Sequence, residues 1–210
     1  MSASPARRRA RRPVRRDPNP ATERIAEPFP AQLTIGVVAD THVVEHGSRV
    51  LPPEVPALFR RFGVGLVLHA GDICIPSVVA ELAVVAPVLA VHGNGDYGFL
   101  TEDLPARVDF LVGQRPFVLV HGHQKATADA TARSLAGTAD CVVYGHSHRP
   151  VALLDRGTVL FNPGSATDRR GQPHFGVGIL RVGPAGIEPE LILFNQPRDL
   201  NGVEAEPLAR

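Results

Sequence analysis

Five short apolar runs in this sequence each end in residues that can bind a divalent cation. LTIGVVAD runs into DTH, with Asp40 and His42, and VGLVLHAGD ends at Asp72. APVLAVHGNGD carries Asn94, PFVLVHGH carries His121, and ADCVVYGHSH carries His146 and His148. A lone aspartate or histidine at a strand end is more often a turn former or a satisfied polar group. Seven oxygen and imidazole donors, all at the same kind of strand end, instead predict one convergent site, because open α/β sheets gather ligands outside the carboxyl ends of their strands. In DTH and HSH the donors are two residues apart, which in extended backbone places both side chains on one face. Gly71, Gly93, Gly122 and Gly145 permit the sharp turns and close backbone approach that such a cluster needs.

Carboxylate, amide oxygen and imidazole without thiolate favour manganese, iron, zinc, nickel or magnesium over copper(I) or an iron–sulfur cluster. Seven donors are enough for two divalent ions; the donor types do not choose among these metals, and manganese is the first expectation. Two ions about 3.5–4 Å apart can share a carboxylate and an activated water and clamp phosphoryl oxygens during in-line attack. The expected chemistry is therefore hydrolysis of a phosphate ester.

The elements that must position these donors are strands buried on both faces, as the continuous apolar runs indicate, alternating with helices over 54–62, 76–85 and 124–137. After His148 the helical pattern stops. VALL, TVLFN, FGVGILRV and ELILFN follow closely and predict a second, more antiparallel sheet. The fold class is α/β, with two sheets face to face and helices outside.

A chain of 210 residues with 44% apolar and 20% charged residues supports one well-buried domain, and no apolar run is long enough to span a bilayer. Residues 1–30 carry eight arginines against Asp17, Glu23 and Glu27, about +5, so the remainder is about −4. This Arg/Pro-rich stretch has no apolar period, so residues 1–31 are expected to be a disordered tail and 32–210 the domain. Nucleic acid is a possible partner of the tail but not the favoured one. No apolar segment follows the paired arginines, which argues against twin-arginine export. Cys74 and Cys141 lack metal-knuckle spacing and are expected to be reduced, buried thiols of a cytoplasmic protein. No segment specifies an oligomeric state.

DTH, GD, GNGD, HGH and GHSH in this order, continued by NPGS at 162–165, resemble the signature of the calcineurin-like metallophosphoesterases. The nearest likeness is to the small single-domain prokaryotic phosphodiesterases of that superfamily. The resemblance implies a four-layer α-β-β-α sandwich of two mixed sheets and a metal-bridging hydroxide as nucleophile. It also implies that Asp40, His42 and His148 hold one metal, that Asn94, His121 and His146 hold the other, and that Asp72 bridges them. Many members have histidine after the asparagine, where it assists the leaving group. Here that position is Gly95. His92 and His123, beside the donors in sequence, are the candidate proton shuttles, with bracing of a ligand as the alternative; metal-bound water, or a substrate with a good leaving group, would make either unnecessary.

Other polar residues have weaker claims. His69 is expected to be buried or to support a ligand, and His46 and His174 to be solvated or structural. Asp96 either braces a ligand or forms a turn, and NPGS with Ser165 either approaches the substrate or is a structural turn. Tyr97 and Phe99 are expected to anchor their loop in the core, with pocket lining as the alternative. The expected substrate is a small phosphate ester, a diester being slightly preferred. The alternatives are a non-catalytic scaffold of the same fold, as in the retromer coat, and a nuclease or phosphatase acting on nucleic acid or nucleotides.

Overall fold

Hydrophobic residues alternate between three separate cores, and this alternation sets the layers. In the strand Leu33–Val38 (β2), Ile35 and Val37 face one core while Val38 faces another. Leu66–His69 (β3) divides likewise, with Leu66 and Leu68 against Val67. In Arg115–Val120 (β6), Phe117 and Leu119 join Ile35 and Leu68, whereas Val118 and Val120 join the helix Ala128–Leu135 (α4). The shared core of β2, β3 and β6 is the space between two sheets. The other two cores lie beneath helices. Strands covered on both faces lose the polar alternation of a half-exposed sheet, which is why these segments read as continuous apolar runs.

The structure is a computed structural model that describes residues 22–205. One sheet has the order β1-β5-β6-β7-β9-β8, formed by Thr22–Arg24 (β1), Arg107–Val112 (β5), β6, Cys141–Val143 (β7), Thr158–Asn162 (β9) and Val151–Asp155 (β8). The other has the order β11-β10-β2-β3-β4, with Gly186–Phe194 (β11), Phe175–Gly183 (β10) and Val88–Ala90 (β4). β2, β3 and β4 are mutually parallel, as are β6, β7 and β9. The helices Glu54–Arg61 (α1) and Ser77–Ala83 (α2) cover one sheet and α4 the other, completing the four layers.

Helix α1 presents Val55, Leu58 and Phe59 to its core at the spacing of one helical face. It stops where Gly63 takes φ +61° and the Val64 N–H donates back to the Phe59 carbonyl. Thr127 caps α4, its hydroxyl accepting from the Ala130 N–H at 3.1 Å. The short helix Phe99–Asp103 (α3) is not among the expected elements.

Two expectations are corrected. The late strands do not make a sheet of their own: β8 and β9 extend the sheet of β6 and β7, whereas β10 and β11 extend that of β2 and β3. In the first sheet β9 continues the parallel core and β8 pairs antiparallel to it; in the second β10 pairs antiparallel with both β2 and β11. Strand propensity identifies these segments but carries no information on which edge they join. Second, residues 22–29 of the expected tail take part in the fold. β1 pairs in parallel with β5, the Phe29 N–H donates to the Leu111 carbonyl at 2.8 Å, and the Phe29 ring meets Phe110 edge-on at 5.8 Å. Ile25 and Phe29 find burial against the sheet that their own segment does not supply. Residues 1–21 of the expected tail lie outside the described residues.

Candidate metal centre

All seven expected donors come together, because the five loops that carry them leave the carboxyl ends of β2, β3, β4, β6 and β7. Ligand atoms of Asp40, His42 and His148 form one group, and those of Asp72, His121 and His146 a second; within each they lie within 4.8 Å of one another. The groups meet at Asp72. Its Oδ2 lies 3.4 Å from His42 Nε2 and 3.4 Å from His121 Nε2. His42 Nε2 is 3.2 Å from His148 Nε2, which is 3.6 Å from Asp40 Oδ1, and the Asn94 carbonyl oxygen is 3.2 Å from His121 Nε2. Two donors bonded to one ion at about 2.1 Å in tetrahedral directions lie about 3.4 Å apart, so these spacings suit a shared cation.

Backbone conformation aims the donors. Asp40, His42, Asp72, His146 and His148 have φ between 46° and 66°, in the left-handed region that non-glycine residues avoid. Five of seven donors in this state represent about 1–3 kcal/mol of strain each, held by the surrounding fold. This corrects the expectation that DTH and HSH are extended. Asp40 and His42 still reach the same group, but His146 and His148 go to opposite ones.

Hydrogen bonds fix the rings with Nε2 toward the centre. His121 Nδ1 donates to the Ala70 carbonyl at 2.7 Å, and His148 Nδ1 donates to the Asp168 carbonyl. Asp96 is the main brace. Oδ1 accepts from the N–H groups of Ile73 and Cys74, at 2.8 and 2.7 Å, and Oδ2 from those of Asp72 and Gly93, at 3.0 and 2.8 Å. Both alternatives for Asp96 thus merge, since it shapes the turn that carries Asp72.

Charge at the site calls for a cation. Burial pushes the Asp40 carboxyl up to about 8, with His121 pulling against it and Asp72 adding to it, and its buried Oδ2 has no hydrogen-bond partner. Burial acts the same way on Asp72, but the His121 hydrogen bond and charge, the Gly95 N–H and His42 together hold it well below the usual range. Burial lowers His42, His146 and His148, the last to about 4, leaving neutral rings with lone pairs to donate. An orphaned carboxyl oxygen beside these neutral rings fits a divalent ion, and His121, which burial lowers but Asp72 and Asp40 together raise above its usual range, would give up its proton to join them.

Two glycines make the room. Gly71 has φ +84°, and a Cβ there would lie 2.7 Å from His121 Nδ1. A Cβ on Gly93 would lie 2.1 Å from Asp72 Oδ1. Gly93→Ala should therefore displace Asp72 or the GNGD loop and weaken metal binding by at least about tenfold, as loss of a ligand's supporting contacts does. Isothermal titration with manganese would show this; wild-type affinity would mean that the loop yields without disturbing the carboxylate.

The family model of the calcineurin-like phosphoesterase superfamily domain matches residues 33–183, the span that contains all seven donors and the parallel strands β2, β3, β4, β6, β7 and β9. The chain belongs to this superfamily. A probable metallophosphoesterase of Methanothermobacter thermautotrophicus is 35% identical over 179 residues, covering 80% of this chain and 98% of its own length. Phosphodiesterase YfcE of Escherichia coli K12 is 32% identical over 170 residues, covering 77% of this chain and 80% of its own. Among solved structures, a Vps29 variant of Entamoeba histolytica shares the fold with a TM-score of 0.61 at 23% identity, covering 78% of this chain and all of that one. The enzyme class expected from the motifs, a phosphoric ester hydrolase, is the class of this superfamily.

Within this metallophosphoesterase centre the remaining polar residues sort by contact. His123 has its ring 5.4 Å from that of His121, 6.2 Å from His92 and 6.4 Å from His146, and its buried Nδ1 has no partner. His92 turns Nδ1 to the neighbouring Gly93 carbonyl at 3.3 Å. His69 is fully buried, 3.1 Å from the Thr41 hydroxyl, and burial pushes it down to about 3. NPGS is structural: Ser165 is buried and its hydroxyl donates to the Asp40 carbonyl at 2.7 Å, while Asn162 donates to the Gly145 carbonyl at 2.8 Å. Tyr97 is 65% exposed and does not anchor its loop in the core, a correction that leaves it on the surface beside the GNGD turn. His46 is exposed and His174 half-buried, the latter paired with Asn195.

Cys74 and Cys141 are free and buried, as expected. Among the described residues no helix is long and apolar enough to cross a membrane. Arg170 and Asp168, which touch His42 and His148, lie outside the set expected from the motifs. Their only sequence signal is the charged run DRR a few residues after NPGS.

Proposed function

We propose that this chain is a dinuclear metallophosphoesterase that hydrolyses a small phosphate ester. Asp40, His42 and His148 hold one ion, Asn94, His121 and His146 the other, and Asp72 is shared. The observation that carries this assignment is the equal 3.4 Å reach of Asp72 Oδ2 to one histidine of each group. Two divalent ions held there supply Lewis-acid clamping of the phosphoryl oxygens and an activated water, with manganese the leading choice. A phosphodiester is preferred because a relative at 32% identity is a phosphodiesterase. The two free thiols suit a reducing, cytoplasmic setting. A scaffold without metal would leave Asp40 Oδ2 buried and unpartnered, so no observation favours that alternative.

The protein's own groups orient and protect. The Ala70 and Asp168 carbonyls hold the imidazoles in the tautomer that turns Nε2 inward. Gly95 carries no side chain to protonate a leaving group, and its N–H instead donates to Asp72 Oδ1 at 2.6 Å. His123 is the better placed of the two candidate proton carriers, since its ring contacts two donors and has an unused nitrogen. Burial and the neighbouring His121, His92 and His146 hold it below its usual range, so at neutral pH it relays a proton instead of standing ready as an acid.

Metal-stripped protein refilled with manganese, given bis-p-nitrophenyl phosphate and p-nitrophenyl phosphate in parallel, tests the proposal. Turnover that requires metal and disappears in His121→Ala, with the diester faster, is the expected result. Failure of the wild-type protein to bind two equivalents of any divalent metal would overturn it.

A further inference from the structure

Arg170 lies at the junction of the two donor groups. Its Nη2 is 3.3 Å from His42 Nε2, the same atom that neighbours His148 and Asp72. The side chain is half exposed, so the guanidinium is open to solvent on one side and to the donors on the other. A left-handed φ of 48° at this non-glycine residue directs the chain there. Asp168 braces it: one carboxylate oxygen lies 3.9 Å from Arg170 Nε and 3.1 Å from Arg49 Nη2, while the Asp168 carbonyl holds His148. Two guanidinium groups thus share one carboxylate, which leaves one positive charge in excess beside the centre. That charge is felt at Asp40, His42, His146 and His148.

An imidazole nitrogen has one lone pair. When His42 Nε2 is committed to a metal, it no longer accepts from Arg170, and the guanidinium faces the centre with donors to spare. We propose that Arg170, braced by Asp168 and seconded by Arg49, binds the non-bridging oxygens of the substrate phosphate. This rests on the metal-centre assignment above. A guanidinium fork matches phosphate geometry and makes charge-assisted bonds. A monoester offers three terminal oxygens and up to two charges, a diester two oxygens and one charge. Arg170 therefore favours monoester binding more than diester binding, and narrows the diester preference proposed above.

The test uses the manganese-loaded protein with Arg170→Ala and Arg170→Lys, read by kcat and KM for both nitrophenyl esters and by calorimetric titration with inorganic phosphate. Loss of a charge-assisted contact should weaken phosphate binding in Arg170→Ala by about tenfold to a hundredfold. KM should rise more for the monoester than for the diester, manganese stoichiometry should stay at the wild-type value, and lysine should restore part of the loss. Unchanged phosphate affinity in Arg170→Ala would overturn the proposal, as would loss of manganese, which would make the residue a brace for His42. If the wild-type protein binds manganese but cleaves neither ester, the phosphate titration still decides the matter. Absence of manganese binding in the wild-type protein would remove the metal centre itself, and this proposal with it.

Discussion

Asp72→Ala is expected to lower metal-dependent hydrolysis by more than about a thousandfold, the loss of roughly 4 kcal/mol of charge stabilisation that a displaced metal pair implies. Bound manganese should fall from two equivalents to one or fewer. Asp72 is the only one of the seven donors placed between the groups, with Oδ2 3.4 Å from a histidine on each side and Oδ1 taken by the Gly95 N–H. Among the described residues no other carboxylate replaces it: Asp40 sits with His148, 3.6 Å away, and Asp96 is occupied by backbone donors. Metal content by elemental analysis and kcat by the nitrophenyl assay check this together, with circular dichroism confirming that the variant folds. Two tightly held ions in a folded variant retaining a tenth of the activity would refute the shared role.

Asp96→Ala should be the most destabilising substitution near the site although Asp96 is not among the proposed ligands. Asp96 is 7% exposed, and its carboxylate accepts from four backbone N–H groups at the apex of the loop. An unsatisfied buried donor costs about 1–3 kcal/mol, and partial rehydration through the cavity left behind reduces the sum to roughly 3–5 kcal/mol. For a domain of this size that is a fall in Tm of about 10 °C. Measured on metal-free protein, the fall separates loop support from metal binding. In refilled protein, manganese affinity should also drop by about tenfold to a hundredfold. Asp96→Asn keeps one accepting oxygen and should lie between the two. A Tm in Asp96→Ala within 2–3 °C of wild type, about the effect of one kcal/mol, would show that water replaces the carboxylate at little cost.

Much of the fold and all seven residues of the proposed ligand set are legible in the sequence, for a local reason. A strand buried on both faces must be apolar throughout, so β2, β3, β6 and β7 announce themselves, and any Asp, His or Asn directly after them stands out. Because these strands run parallel within their sheets, their ends fall on one side, and residues up to 108 positions apart, Asp40 and His148, meet. The type and order of the donors were therefore determined by sequence alone.

Tertiary structure decided whatever depends on a partner distant in the chain. The propensity of β8 to β11 marks strands but not edges, and only packing sends one pair to each sheet. Likewise, HSH shows two histidines at one loop, while left-handed backbone at both, held by the Asp168 carbonyl and Asp40 Oδ1, sends them to different groups. Asp96 resembles an ordinary turn residue until the loop after β3 is laid against it, and Arg170 resembles solvated charge until the chain beyond NPGS folds back over His42. Periodicity and residue type report the faces of one segment; which donors, charges and unpaired atoms end up facing one another is set by contacts between segments.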